Sequence, residues 1–251
     1  PSSVIERNDS PVRKAEGLEP VTGILHGSDP GTIEISDGTV TFSTSFLEGQ
    51  KTGLYLDQFD NYRAVAAHAA GRNVLDLFTN QGGFALHAAK AGAASVTAID
   101  ISETATAATA KNAKLNDLTN VDVKQGNVFD HLKYLTGLED AQRPAYDLII
   151  LDPPSFTRAK KNLRDAIRGY KEIHLRSLQL LKPGGLLATF CCSHHVTHTD
   201  FRGAVCAASV DAKKSLREIS SFHQRLDHPV VPTIPETEYL KGYLYQVTAA
   251  F

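Results

Sequence analysis

The chain has 251 residues, a formal net charge of -2, 42% hydrophobic and 22% charged residues. These values fit one large or two small globular domains with a sizeable core and exclude a polycation or a disordered chain. No apolar run approaches the roughly 20 residues of a membrane helix and no signal peptide is recognisable. Three cysteines, Cys191, Cys192 and Cys206, make an odd and badly spaced disulfide set, so a cytoplasmic, reducing setting without a membrane is expected. The absence of C-x-x-C argues against zinc and, more broadly, no metal is expected. Methionine is absent and the first residue is Pro1, unusual for a whole gene product of this size.

Residues 1–20 are polar and read as an extended lead-in. Thr32–Ile35 and Val40–Thr44 flank Ser36-Asp37-Gly38, which predicts a β-hairpin. Residues 1–56 are therefore expected to form a lead-in and small β-rich segment, and 57–251 the main domain. Lys51–Gln58 is dense in polar and aromatic residues, with Asp57 as an expected helix N-cap. It serves either as a lid over a cofactor, with Lys51 and Tyr55 as contacts, or as a loop docking the hairpin.

The most informative stretch is Val74–Phe84, an apolar run ending in Phe78-Thr79-Asn80-Gln81-Gly82-Gly83. It reads as a buried strand, a tight turn and the start of an Ala-rich helix. Ser95–Asp100 is a second strand ending in an acid. That unit frames nucleoside cofactors, with glycines letting the backbone approach the ligand and the acid accepting both ribose hydroxyls. The turn fits neither G-x-G-x-x-G nor G-x-x-x-x-G-K-[ST], which disfavours a dinucleotide or a nucleoside triphosphate. A ribose without phosphate fits better, and S-adenosylmethionine is the common cofactor of that kind. The alternative is an ordinary α/β unit with a glycine turn.

Ser102 is expected to cap a helix over Glu103–Leu115, and Val121–Gln125 to form a third strand. Asn127 after it meets either an adenine amino group or only solvent, and His131–Leu135 suggests a short helix. Tyr146–Leu151 is the clearest strand and runs into Asp152-Pro153-Pro154-Ser155-Phe156. A long amphipathic helix fits Leu163–Leu181, stopped by Lys182-Pro183-Gly184-Gly185. Leu186–Cys192 is a fifth strand, followed by a helix over Phe201–Ala212 and strands over Ser215–Phe222 and Leu240–Val247. Alternating strands and helices predict a mainly parallel sheet covered on both faces, with one closing strand antiparallel.

Ligands bind such sheets beyond the carboxyl ends of their strands. Asp76 to Gly83, Asp100, Gly126-Asn127, Asp152 to Phe156 and Cys192 to His195 all fall there. The Pro pair stiffens the exit carrying Asp152. Its carboxylate could hydrogen-bond a planar base, beside Pro154 and with Phe156 stacked on it. Successive strand residues face opposite ways, so one of Cys191 and Cys192 should point into the site, and Cys192 lies nearer the end. A thiolate there could add to C6 of a pyrimidine and activate C5 for methylation. His194, His195 and His198 lack metal-ligand companions and read as rim residues. A local basic face, Arg158, Lys160, Lys161, Arg164 and Arg168, would have to supply any nucleic-acid contact.

Several blocks together resemble the ribosomal RNA large-subunit methyltransferase I family, S-adenosylmethionine-dependent cytosine-C5 RNA methyltransferases. They are Lys51-Thr52-Gly53 through Leu56-Asp57-Gln58, Phe78 through Gly82-Gly83-Phe84, Leu151-Asp152-Pro153-Pro154, Gly169-Tyr170-Lys171, Thr189-Phe190-Cys191-Cys192-Ser193, Asp227-His228-Pro229 and Tyr239-Leu240-Lys241-Gly242. The resemblance covers the chain from about Val4 onward. It implies a Rossmann-like class I methyltransferase fold with a seven-stranded, mostly parallel sheet, and ribosomal RNA as partner. Cys192 matches the nucleophile, Asp152 the catalytic, substrate-binding acid and Asp100 the ribose acid. With it go the expected cofactor contacts Lys51, Tyr55, Asp76, Phe78, Thr79, Gln81, Gly82, Gly83, Asp100, Ile101, Asn127, Val128, Asp152 and Pro153, and substrate contacts Pro154 and Phe156. The family usually carries an N-terminal RNA-binding domain of the PUA type, and no such domain is recognisable here. Ser155 stands where relatives often have Lys, and Asn127 where Asp is common. A homodimer is compatible with the sequence, which does not set the oligomeric state. Methylation of a ring nitrogen or exocyclic amine is the second enzyme reading, and a non-catalytic RNA-binding module the third.

Overall fold

A computed structural model describes residues 1–10, 12–47, 54–157 and 159–250. The chain divides into two compact units, Pro1–Leu56 and Asp57–Phe251.

The first unit is β-rich. Strand β1 (Ser3–Asn8) is followed by the short helix α1 (Val12–Ala15) and by β2 (Val21–Gly27), which pairs antiparallel with β1 from Ser3↔Gly27 to Asn8↔Val21. The expected extended lead-in is therefore a strand. Its polar composition hides it, because all but one of its residues are only half-buried. Strands β3 (Thr32–Ser36) and β4 (Thr41–Ser45) form the predicted hairpin. Asp37 Oδ1 accepts from the Thr39 and Val40 amides at 2.8 and 2.9 Å, and Gly38 takes φ +90°, which closes the turn.

A 3₁₀ turn, Leu56–Gln58, runs into α2 (Phe59–Ala66) at the start of the second unit. Asp57 is not the N-cap. That position belongs to Gln58, without a side-chain cap, and Asp57 is buried inside the preceding turn. There follow β5 (Asn73–Leu77), α3 (Gly83–Lys90), β6 (Ser95–Asp100), α4 (Glu103–Leu115), β7 (Val121–Gln125), α5 (Val128–Gly137), β8 (Tyr146–Leu151), α6 (Leu163–Leu180), β9 (Leu181–Cys191), α7 (His198–Asp211), β10 (Lys214–Phe222) and β11 (Lys241–Ala250).

The strands form one seven-stranded sheet in the order β10-β11-β9-β8-β5-β6-β7. Pairings are parallel except those of β11 to β9 and to β10. The sheet is thus the expected one, with β11 as its antiparallel strand. Strand β8 sits centrally because Leu148, Ile149, Ile150 and Leu151 are all fully buried, as a strand covered on both faces requires. Helix boundaries follow local chemistry. Ser102 caps α4 by accepting from the Ala105 amide, and Thr197 with Asp200 forms a reciprocal capping box for α7. Helix α6 ends at Leu180, and the Lys182–Gly185 run opens β9, with Gly184 at φ +75°.

The order reverses direction at β5, where β6 lies on one side and β8 on the other. Open α/β sheets bind ligands at such a switch point, beyond the strands' carboxyl ends.

Candidate active site

The turn leaving β5 is held in an unusual backbone conformation. Phe78, Asn80 and Gly82 have φ of +67°, +51° and +88°. Left-handed backbone costs little at glycine but roughly 1 kcal/mol or more at a residue such as Phe78. Several bonds hold it there. The Thr79 amide donates to Ile99 O at 3.0 Å and the Asn80 amide to Asp100 Oδ2 at 3.0 Å. From α4, Thr109 Oγ1 donates to Asn80 O at 2.7 Å and Asn112 Nδ2 to Gln81 O at 3.2 Å.

The two glycines differ in purpose. Gly82 needs its positive φ. At Gly83 a Cβ would lie 2.4 Å from the ring of Tyr62, so its bareness is needed for packing between α2 and α3. Both are buried.

Asp76 is also buried, at 1% exposure. Its Oδ2 accepts from Thr79 Oγ1 at 2.6 Å and from the Ala85 amide at 3.0 Å, and its Oδ1 has no partner among the described residues. Burial is the main cause that pushes its carboxyl up to about 7, with the Asp100 charge adding to it. Asp76 therefore underpins the turn instead of lining an open surface.

At the next strand end Asp100 is half-exposed. Its Oδ2 accepts from Asn80 and its Oδ1 from the Ser102 amide at 2.9 Å. Each carboxylate oxygen can accept a second hydrogen bond. Ile101 beside it is 64% exposed, an apolar face on the same rim. Beyond β7, the Asn127 side chain caps α5, accepting from the Phe129 and Asp130 amides. The Val128 side chain is 2% exposed within the core, which leaves its backbone for the expected contact.

The β8 and β9 exits lie side by side. Asp152 is half-buried, Pro153 buried and Pro154 exposed. Gln58 Nε2 donates to Asp152 Oδ2 at 3.1 Å. Phe156 is half-buried. Its ring packs at 4.6 Å from Tyr170 and 5.8 Å from Phe129, against the core. The Cys192 thiol, half-exposed, donates to Pro153 O at 3.9 Å. Cys191 faces the other way, fully buried, its thiol 3.2 Å from the Tyr170 hydroxyl. Burial pushes the Cys191 thiol and the Tyr170 phenol up.

Groups beyond the predicted set close this end. Lys241, 4% exposed, donates to Ser193 O and Tyr239 O, both at 3.1 Å, and burial pulls its ammonium down. Tyr239 O–H donates to Asp57 Oδ2 at 2.7 Å. Their roles are illegible in the sequence because the bonds that define them join residues far apart in the chain. His194 and His195 are exposed and His198 bonds Tyr243, and the described residues contain no cluster that could hold a metal ion. Lys51 and Arg158 lie outside the described residues, and Tyr55 belongs to the first unit.

Residues 19–245 match the model of a family described as S-adenosylmethionine-dependent methyltransferases. The chain belongs to this family. Curated relatives include ribosomal RNA large subunit methyltransferase I of Shewanella frigidimarina, 41% identical over 98% of this chain and 62% of the relative. The protein of that name from Vibrio parahaemolyticus is 39% identical over 98% of this chain and 62% of its own length. The chain thus spans about three-fifths of the relatives it matches. Among solved structures, a candidate methyltransferase complexed with SAH is 25% identical, with a TM-score of 0.79 over 90% of this chain and 59% of the other.

The site's residues suit the family's cofactor. Asp100 retains acceptor capacity for a ribose, Ile101 offers an apolar face, and the Asp76 Oδ1 oxygen under the turn is an orphaned buried acceptor.

Proposed function

We propose that the chain carries the catalytic part of an S-adenosylmethionine-dependent methyltransferase acting on large-subunit ribosomal RNA, at C5 of a cytosine, with Cys192 as nucleophile. The observation that carries this reading is the pairing of a half-exposed thiol with an acid at adjacent strand exits. Cys192 points at Pro153 O, the residue beside Asp152, while Cys191 is buried. The names of the relatives support ribosomal RNA as the substrate class.

In this reading the turn from Phe78 to Gln81, Asp100, Ile101 and the Asn127 backbone hold the cofactor, with Asp76 positioning the turn. The cofactor supplies an electrophilic methyl on a sulfonium. Asp152 orients the base against the stiff Pro153-Pro154 exit. The Cys192 thiolate adds to C6, and the electron pair of the C5–C6 double bond moves to C5, which takes the methyl. A base then removes the C5 proton, the C5–C6 double bond re-forms, and the thiolate leaves.

The test is a trap. RNA carrying 5-fluorocytosine at the target has no C5 proton to lose, so the adduct should persist. With cofactor present, a complex resistant to denaturant should form with the wild type and not with Cys192→Ala. Methylation of ordinary RNA without any trapped complex would instead favour a ring nitrogen or an exocyclic amine.

A further inference from the structure

Asp152 is the end of a hydrogen-bond relay whose direction is fixed at its far end. Asn61 on α2 donates through Nδ2 to Gln58 Oε1 at 2.6 Å and to the backbone carbonyl of His223 at 3.0 Å. Gln58 then donates through Nε2 to Asp152 Oδ2 at 3.1 Å. Gln58 and Asn61 are 3% and 5% exposed, so water does not substitute for these partners.

Amide oxygen and nitrogen are easily interchanged in a structure, but here chemistry leaves one arrangement. The His223 carbonyl can only accept. Asn61 must therefore turn its NH₂ toward that carbonyl and toward Gln58. Gln58 must answer with its oxygen, which leaves its NH₂ for Asp152. Asp152 Oδ2 is consequently held as an acceptor.

We propose that Gln58, oriented by Asn61, is a positioning residue that holds Asp152 as a hydrogen-bond acceptor and so makes the site select a base with an exocyclic amino group. The inference rests on the reading above only in that Asp152 meets the target base. The Gln58 N–H fixes Oδ2 of the Asp152 carboxylate as an acceptor. An amino group, as on cytosine, gives that carboxylate an N–H. A carbonyl at the same place, as on uracil, sets acceptor against acceptor. A site built around such a bond rejects the analogue lacking it by far more than shape alone can.

The relay makes three substitutions informative. Gln58→Met keeps the volume and removes the donor. Gln58→Glu keeps the bond to Asn61 and sets a second carboxylate against Asp152. Asn61→Asp cannot donate to Gln58, so the Gln58 amide turns its oxygen toward Asp152.

The experiment measures methyl transfer to two RNAs covering the nucleotide the wild type modifies, with cytosine or uracil there, using the full chain. Cofactor affinity and melting temperature identify variants that fail to fold. The wild type should favour cytosine by at least ~100-fold in kcat/KM. That ratio should fall by about tenfold or more in Gln58→Glu and Asn61→Asp, the size of one hydrogen bond, with cofactor affinity kept. Equal losses on both RNAs, with the ratio intact in every folded variant, would overturn the proposal. So would a wild type that transfers nothing or accepts uracil equally. Tritium release from C5-labelled cytosine in the same assay reports separately on the C5 chemistry. Transfer without release would sink that reading and leave the ratio, and hence the relay, decided.

Discussion

Cys191 and Cys192 are neighbours in sequence whose thiols face opposite ways, the first 3.2 Å from the Tyr170 hydroxyl, the second 3.9 Å from the Pro153 carbonyl. The reversal is the ordinary alternation of an extended chain. Its consequence is one inert and one accessible thiol on the same peptide. In the folded protein iodoacetamide should label Cys192 and the exposed Cys206, and leave Cys191 unlabelled until denaturant is added. Peptide mass spectrometry reads this directly. Labelling of Cys191 at the rate of Cys192 would mean that the strand end is not held as described.

Two buried groups set opposite limits to stability. Asp76 is pushed up from 3.8 to about 7 by burial. Its contribution is fully present below about 3.8 and is lost as pH rises through about 7. His174 is pushed down from 6.5 to about 4 by burial, and its ring bonds the Tyr170 carbonyl and Thr189 Oγ1. Its contribution is present above about 6.5 and is lost as pH falls through about 4. The two windows overlap and their slopes oppose, so without cofactor these two groups together should leave unfolding free energy nearly level between about 4 and 6.5. Asp76→Asn should remove the opposing slope and leave the His174 arm, with stability rising as pH rises from about 4 to about 6.5. Urea titrations across pH check this, and parallel curves for the two proteins would count against a titrating Asp76.

The Tyr62 ring leaves no room for a methyl group at Gly83, where a Cβ would lie 2.4 Å from the ring. Gly83→Ala should cost about 1–3 kcal/mol through overpacking. Combined with Tyr62→Leu, it should cost less than the two separate losses added, by about 1 kcal/mol. Strict additivity in chemical denaturation would show that another cause limits this position.

Lys160, Lys161, Arg164 and Arg168 lie at the entry to α6, shortly after the Asp152 exit, and Arg168 pairs with Asp165. If RNA phosphate lies there, Lys161→Glu with Arg164→Glu should weaken RNA binding at low salt. The slope of log affinity on log salt should fall by about 1 for each phosphate that is no longer neutralised. An unchanged slope would place the RNA on another face.

Much of this arrangement is legible in the sequence because it is local. The apolar runs of β5 and β8, the Ser102 cap and the glycine-rich turn each carry their signal within a few residues. Strand β1 escapes notice because a half-exposed polar strand has little hydrophobic pattern. The packing of Phe156 against Tyr170 and Phe129 is likewise announced by nothing local. The purpose of Gly83 depends on Tyr62 in another helix. Gln58 and Asp152 are 94 residues apart, and a bond of that separation leaves no trace in periodicity or turn chemistry.

Tritium release from large-subunit ribosomal RNA labelled at cytosine C5 tests the central claim most directly. It is measured alongside methyl transfer from S-adenosylmethionine, for the wild type and Cys192→Ala. The account predicts one tritium released per methyl transferred by the wild type, and neither by the variant. Methyl transfer without tritium release, or release that persists in Cys192→Ala, would contradict it.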